Sequence, residues 1–155
     1  MNLSLEKIRQ HKTVSKIINH RHWQKYEKYV SLVIWLLAIF YFSSKSLDFV
    51  ALVDIWEVII RKIVHMFEFA VLAYLIFRIL GQTEKRHVNW NLFWTLAFTV
   101  LYAFSDEYHQ SLTPGRVASY KDVLIDSVGA LVAIWLLYLD YHHKKYLARK
   151  KRTSV

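Results

Sequence analysis

Four apolar stretches, at about residues 29–42, 58–80, 90–104 and 123–139, constrain this chain more than any other feature. None holds an uninterrupted run of the roughly twenty apolar residues that cross a bilayer unaided. The second reaches that length only by including Lys62, His65 and Glu68, and the fourth only by including Asp126. The first and third must extend into flanking polar sequence. Residues 32–42 and 93–104 read as apolar nearly all the way round a helix, without the polar face that a soluble bundle turns to water. At 55% hydrophobic residues, the chain is also more apolar than a soluble domain of its length. The expected fold is all-α: a polytopic membrane protein built as a bundle of four transmembrane helices.

Charge sets the expected orientation. Sixteen of the 21 lysines and arginines lie before residue 29, between residues 78 and 86, or after residue 139, opposed there only by Glu6, Glu27, Glu84 and Asp140. The other five share the opposite side with eight acids. Basic segments stay cytoplasmic, so a multi-pass protein of the cell membrane with both termini inside is expected. A net charge of +9 in a soluble chain would suggest a nucleic-acid surface, but here the basic residues lie between and beyond apolar runs. Membrane lipids are the expected partners, and nucleic acid is not. Cysteine is absent, which removes disulfides, thiolate metal sites and cysteine nucleophiles. No cleavable signal peptide is expected, because the first apolar stretch begins behind a long charged segment. The chain thus divides into a basic segment over 1–28, a transmembrane domain over 29–140 and a basic tail over 141–155. The first of these fits either an amphipathic helix on an anionic membrane surface or a basic tail that fixes topology.

The chemistry is concentrated in few places. Residues 105–116, SDEYHQSLTPGR, read as a polar loop between two apolar runs, with Pro114 and Gly115 marking a turn. Polar groups at the edge of a membrane are costly and mark function. On the expected topology, Lys62, His65 and Glu68 share a broad face in the outer half of the second helix. The third helix ends in Ser105, Asp106, Glu107, His109 and Gln110. The fourth enters with Asp122, Asp126 and Gly129 on one stripe, which Ala133 extends into a small-xxx-small spacing that permits close helix contact. The first helix ends in Phe42, Ser43, Ser44, Lys45 and Ser46. All of these converge on one extracytoplasmic pocket.

Glu68, Asp106, Glu107, His109 and Asp126 are the candidate acid–base groups, and Lys62, His65, Gln110, Arg116 and Asp122 the candidate ligand contacts. A structural account of the same residues pairs Lys62 or Arg116 with Glu68 and Asp126, making an ion-pair network that holds short helices together. The acids with His65 and His109 are also metal-ligand types, but the spacing is not diagnostic of a metal. No His-Glu-x-x-His pair and no nucleophile elbow is present. A homo-oligomer joined along Gly129 and Ala133 is one arrangement the spacing permits.

In combination, Lys62-x-x-His65, Ser105-Asp-Glu-x-His109-Gln110-x4-Gly115-Arg116 and Asp122-x3-Asp126-x2-Gly129 resemble the VanZ-like family of small membrane proteins. The Phe42-Ser43-Ser44 segment also fits, so the similarity spans about residues 35–137. The resemblance implies few transmembrane helices and a link to low-level resistance against teicoplanin, a lipid-bearing glycopeptide. It implies no reaction, cofactor or catalytic mechanism. Three functions stay open. One is an envelope protein that handles a glycopeptide or a lipid-linked cell-wall intermediate. The second is a membrane enzyme acting on a lipid phosphate or pyrophosphate by acid–base or metal-assisted chemistry. The third is a non-catalytic assembly module.

Overall fold

The computed structural model describes residues 23, 26–44, 55–81, 87–112 and 118–153, apart from the side chain of residue 57. It is all-helical, with α1 (Tyr26–Ser43), α2 (Ile55–Leu80), α3 (Val88–Ser111) and α4 (Tyr120–Thr153). Three contacts fix their directions. Arg78 near the end of α2 pairs with Glu27 at the start of α1. Ser43 at the end of α1 bonds to Asp106 near the end of α3. Lys62 in α2 pairs with Asp122 in the first turn of α4. Successive helices therefore run antiparallel. The basic segment before residue 23 lies outside the described residues, as do Pro114, Gly115 and Arg116.

Three helices, α1, α2 from Val58 onward and α4, are long and apolar enough to cross a membrane. α3 is of similar length, about 36 Å at 1.5 Å per residue, but differs in make-up. Asn91, Thr95, Thr99, Asp106, Glu107 and Gln110 are buried along its inner face. Trp90, Phe93, Phe98, Leu101, Phe104 and Tyr108 are exposed on its outer one. Residues 93–104 are thus not apolar all round, as the sequence suggested. The Thr95 and Thr99 hydroxyls donate to the carbonyls of Asn91 and Thr95, each at 2.8 Å, so both are buried yet satisfied within their own helix. Leu101 is 65% exposed and Asp106 is 2% exposed. A bundle with its acids inside and its leucines and aromatics outside suits an apolar solvent.

Residues 105–111 form the last turns of α3, as expected for a third helix that extends through residue 110, and the helix closes at Leu112, whose N–H donates to the His109 carbonyl at 3.1 Å. Asp106, Glu107, His109 and Gln110 are therefore held on a helix.

Among α2, α3 and α4, the most extensive packing is between α2 and α4. Gly129 makes this possible, because a Cβ there would overlap the backbone of Met66. Ala73, Ala130 and Ala133 form the small-residue core beside it, with Ala70 and Leu96 against them. Gly129 and Ala133 are buried within the chain. Nearer α1, the core comprises Ile39, Phe69, Leu72, Ala103 and Val123. Two buried-side hydrogen bonds secure α1: Trp35 Nε1 donates to the Glu68 carbonyl at 3.0 Å, and the Tyr102 hydroxyl donates to the Leu36 carbonyl at 2.7 Å. α4 continues unbroken to Thr153, and residues 140–153 are exposed on every side.

Candidate functional site

The end of the bundle where α1 and α3 finish and α2 and α4 begin gathers the polar residues. Its first layer is a set of acids already bonded. Asp106 accepts from the Ser43 hydroxyl on Oδ1 at 2.6 Å and from the Gln110 amide on Oδ2 at 2.7 Å. Glu107 Oε2 accepts the backbone N–H of Ser119 at 2.6 Å. The Ser119 carbonyl in turn receives the N–H groups of Asp122 and Val123. Glu107 thus ties the end of α3 to the entry of α4. Asp122 sits in the first turn of α4, where the helix dipole favours an acid.

Lys62 Nζ meets Asp122 Oδ1 at 2.5 Å, with both side chains about two-fifths exposed. The sequence paired Lys62 with Glu68 or Asp126. Those acids lie further along α2 and α4, and Asp122 at the mouth of the bundle is nearer the rim where the lysine head sits. A pair this exposed adds little stability, of order 0–1 kcal/mol.

The second layer is deeper and looser. His65 Nδ1 lies 3.7 Å from Glu68 Oε2 and 4.0 Å from Asp126 Oδ1. These separations exceed hydrogen-bond length, so the imidazole faces two carboxylates without closing on either. His65 and Glu68 keep 19% and 13% of their side chains exposed, which leaves the site reachable, whereas Asp126 is almost fully enclosed. The charges of Asp106, Asp122, Glu107 and Glu68 all act on Asp126. Gly129 explains why His65 arrives here at all. It admits Met66, the residue after His65, to the backbone of α4 one turn beyond Asp126.

His109 stands apart from both layers. Its ring stacks on Phe40 at a centroid distance of 3.6 Å, and its Nδ1 is buried with no hydrogen-bond partner among the described residues. Nine of the ten residues singled out from sequence therefore lie at one end of the bundle, and Arg116 falls outside the described residues. Among the described residues, no three His, Asp or Glu groups converge in metal-ligand geometry.

Sequence reasoning missed three contributors. Phe40 was read only as part of an apolar run, although its place three residues before Ser43 puts it on the same end of α1. The Ser119 N–H has no sequence signature. The Asn91–Thr95–Thr99 row did have one, in its spacing of four.

A sequence model of the VanZ/LLP1 family matches residues 4–141. The chain belongs to the VanZ/LLP1 family. The match is wider than the 35–137 span of the motifs and takes in the basic N-terminal segment. In this VanZ/LLP1 chain it also stops close to where α4 leaves the bundle. Neither the curated proteins nor the solved structures contain a match.

The arrangement has a definite chemical character. Five acids meet at this end, and Lys62, the cation that reaches Asp122, is already paired. Such a site attracts hydrogen-bond donors and positive charge more readily than phosphate.

Proposed function

We propose that this VanZ/LLP1 protein resides in the cell membrane as a four-span protein. Both termini are cytoplasmic, and the polar end faces outward. There it takes the donor-rich part of an envelope component, either a glycopeptide such as teicoplanin or a lipid-linked cell-wall intermediate. The reading is carried by one observation: His65, Glu68 and Asp126 form a sheltered acid–imidazole group, with His65 Nδ1 3.7 Å from Glu68 and 4.0 Å from Asp126, while Asp106 and Glu107 hold the helices together. Family membership and the charge distribution support the setting. The acid excess supports this reading over phosphate chemistry, and Lys62 is already matched by Asp122.

The test is protection of a teicoplanin-susceptible bacterium expressing the chain. Glu68→Gln and Asp126→Asn are expected to abolish protection at unchanged membrane abundance, whereas Lys62→Gln is expected to keep most of it. Full protection by both acid variants would sink the proposal. Release of inorganic phosphate from a lipid pyrophosphate by the purified chain, lost in Glu68→Gln, would establish the enzymatic reading in its place.

A further inference from the structure

The opposite end of the bundle carries a groove that the proposed function does not use. It lies between the start of α3 and the part of α4 that leaves the bundle, with a volume of about 240 Å³. His87 and Asn89 line one wall, and Tyr138, Tyr141, His142 and Lys145 the other. We propose that this groove binds the phosphate of an anionic phospholipid headgroup.

The walls supply donors of the right kind. Lys145 and the two histidines bring ammonium and imidazole N–H groups, and the tyrosines bring hydroxyls that favour the interface between lipid and water. No side chain caps α3 and no acid stands in its first turn, so the positive end of its dipole opens beside the same groove.

Charge bookkeeping sharpens the choice of occupant. Two other cations at this end are matched: Arg78 by Glu27 at 3.1 Å, and Lys144 by Asp140 at 2.7 Å. Lys145 has no carboxylate partner among the described residues, and its ammonium lies 5.9 Å from the centre of the Tyr141 ring. Helical phase separates the two sets. At about 100° per residue, Tyr138, His142, Lys145, Arg149 and Arg152 share one face of α4, and Asp140 with Lys144 lies on the other. The groove is therefore the head of a cationic stripe that starts where the apolar run of α4 ends. Basic pockets and stripes at that level recognise anionic lipid headgroups.

Native mass spectrometry of the full chain from mixed micelles of phosphatidylglycerol and phosphatidylcholine tests the assignment. Wild type is expected to retain phosphatidylglycerol in preference. His142→Gln combined with Lys145→Gln is expected to weaken that preference by about fivefold or more. Lys144→Gln removes one charge from the opposite face and is expected to leave it intact. Both substituted positions are solvent-exposed, and an unchanged helical melting curve confirms that the variants fold. Equal loss in Lys144→Gln would show diffuse attraction rather than a site, and retention by the double variant would place the lipid elsewhere. Displacement of phosphatidylglycerol by an equal concentration of inorganic phosphate would make it a site for the free anion. Each of these three results overturns the proposal.

Discussion

Asp106 has both carboxylate oxygens engaged by side chains of two helices, and its isolation from solvent makes those bonds matter. Hydrogen bonds to a charged group contribute about 1.5–3 kcal/mol each, and removing a shared buried acceptor of Ser43 and Gln110 adds a penalty. Asp106→Ala is expected to lower stability by about 3 kcal/mol, read as thermal or denaturant unfolding in detergent. Asp106→Asn is expected to cost less than about 1 kcal/mol, because the Gln110 amide can turn its oxygen toward the new donor. Loss of protection in Asp106→Asn with stability preserved would instead make Asp106 a functional acid. Residue types and helical spacing were enough to place Asp106, Glu107, Asp122 and Asp126 at one end. They were not enough to separate acids that bond to their neighbours from acids that do not. That distinction depends on the backbone N–H of Ser119 and the hydroxyl of Ser43, whose positions are set by how three helices meet.

The four helices were legible as elements, yet α3 was understood least. Its aromatic residues outweigh two threonines in any average of hydrophobicity, so its inner polar row was hidden although its spacing was regular. Because Thr99 already bonds within its own helix, Thr99→Val is expected to change unfolding free energy by less than about 1 kcal/mol. A larger loss would mean that the hydroxyl serves another helix. Gly129 was legible as a close-contact residue, but its partner was not, since spacing alone does not distinguish a neighbour in the same chain from a second copy. Gly129→Ala must push α4 away from Met66, at a cost of about 1–3 kcal/mol. The same displacement separates His65 from Asp126. Protection is therefore expected to fall in Gly129→Ala even where the membrane abundance matches wild type. Unaltered stability and protection would show that α2 and α4 need not touch there.

For the whole molecule, a chain without cysteine offers a clean test of the proposed orientation. Ser111→Cys, at the polar end, is expected to react with a membrane-impermeant maleimide in intact cells. Thr153→Cys is expected to react only after permeabilisation. The reverse pattern would put the acid-rich end inside the cell and remove extracellular ligands from consideration. The expected orientation rests on how lysines and arginines segregate along the sequence, whereas the inverted polarity of the bundle required knowing which side of each helix is covered. α4 has one more consequence. Its 34 residues make a rod of about 50 Å, and the last third stands free of the other helices. A helical protein joined in frame at Thr153, without an intervening turn, inherits the direction of that rod, and each added residue rotates it by about 100°. A chain of 18.6 kDa, too small to align by itself in electron images, thereby carries its own mounting point for a rigid fiducial.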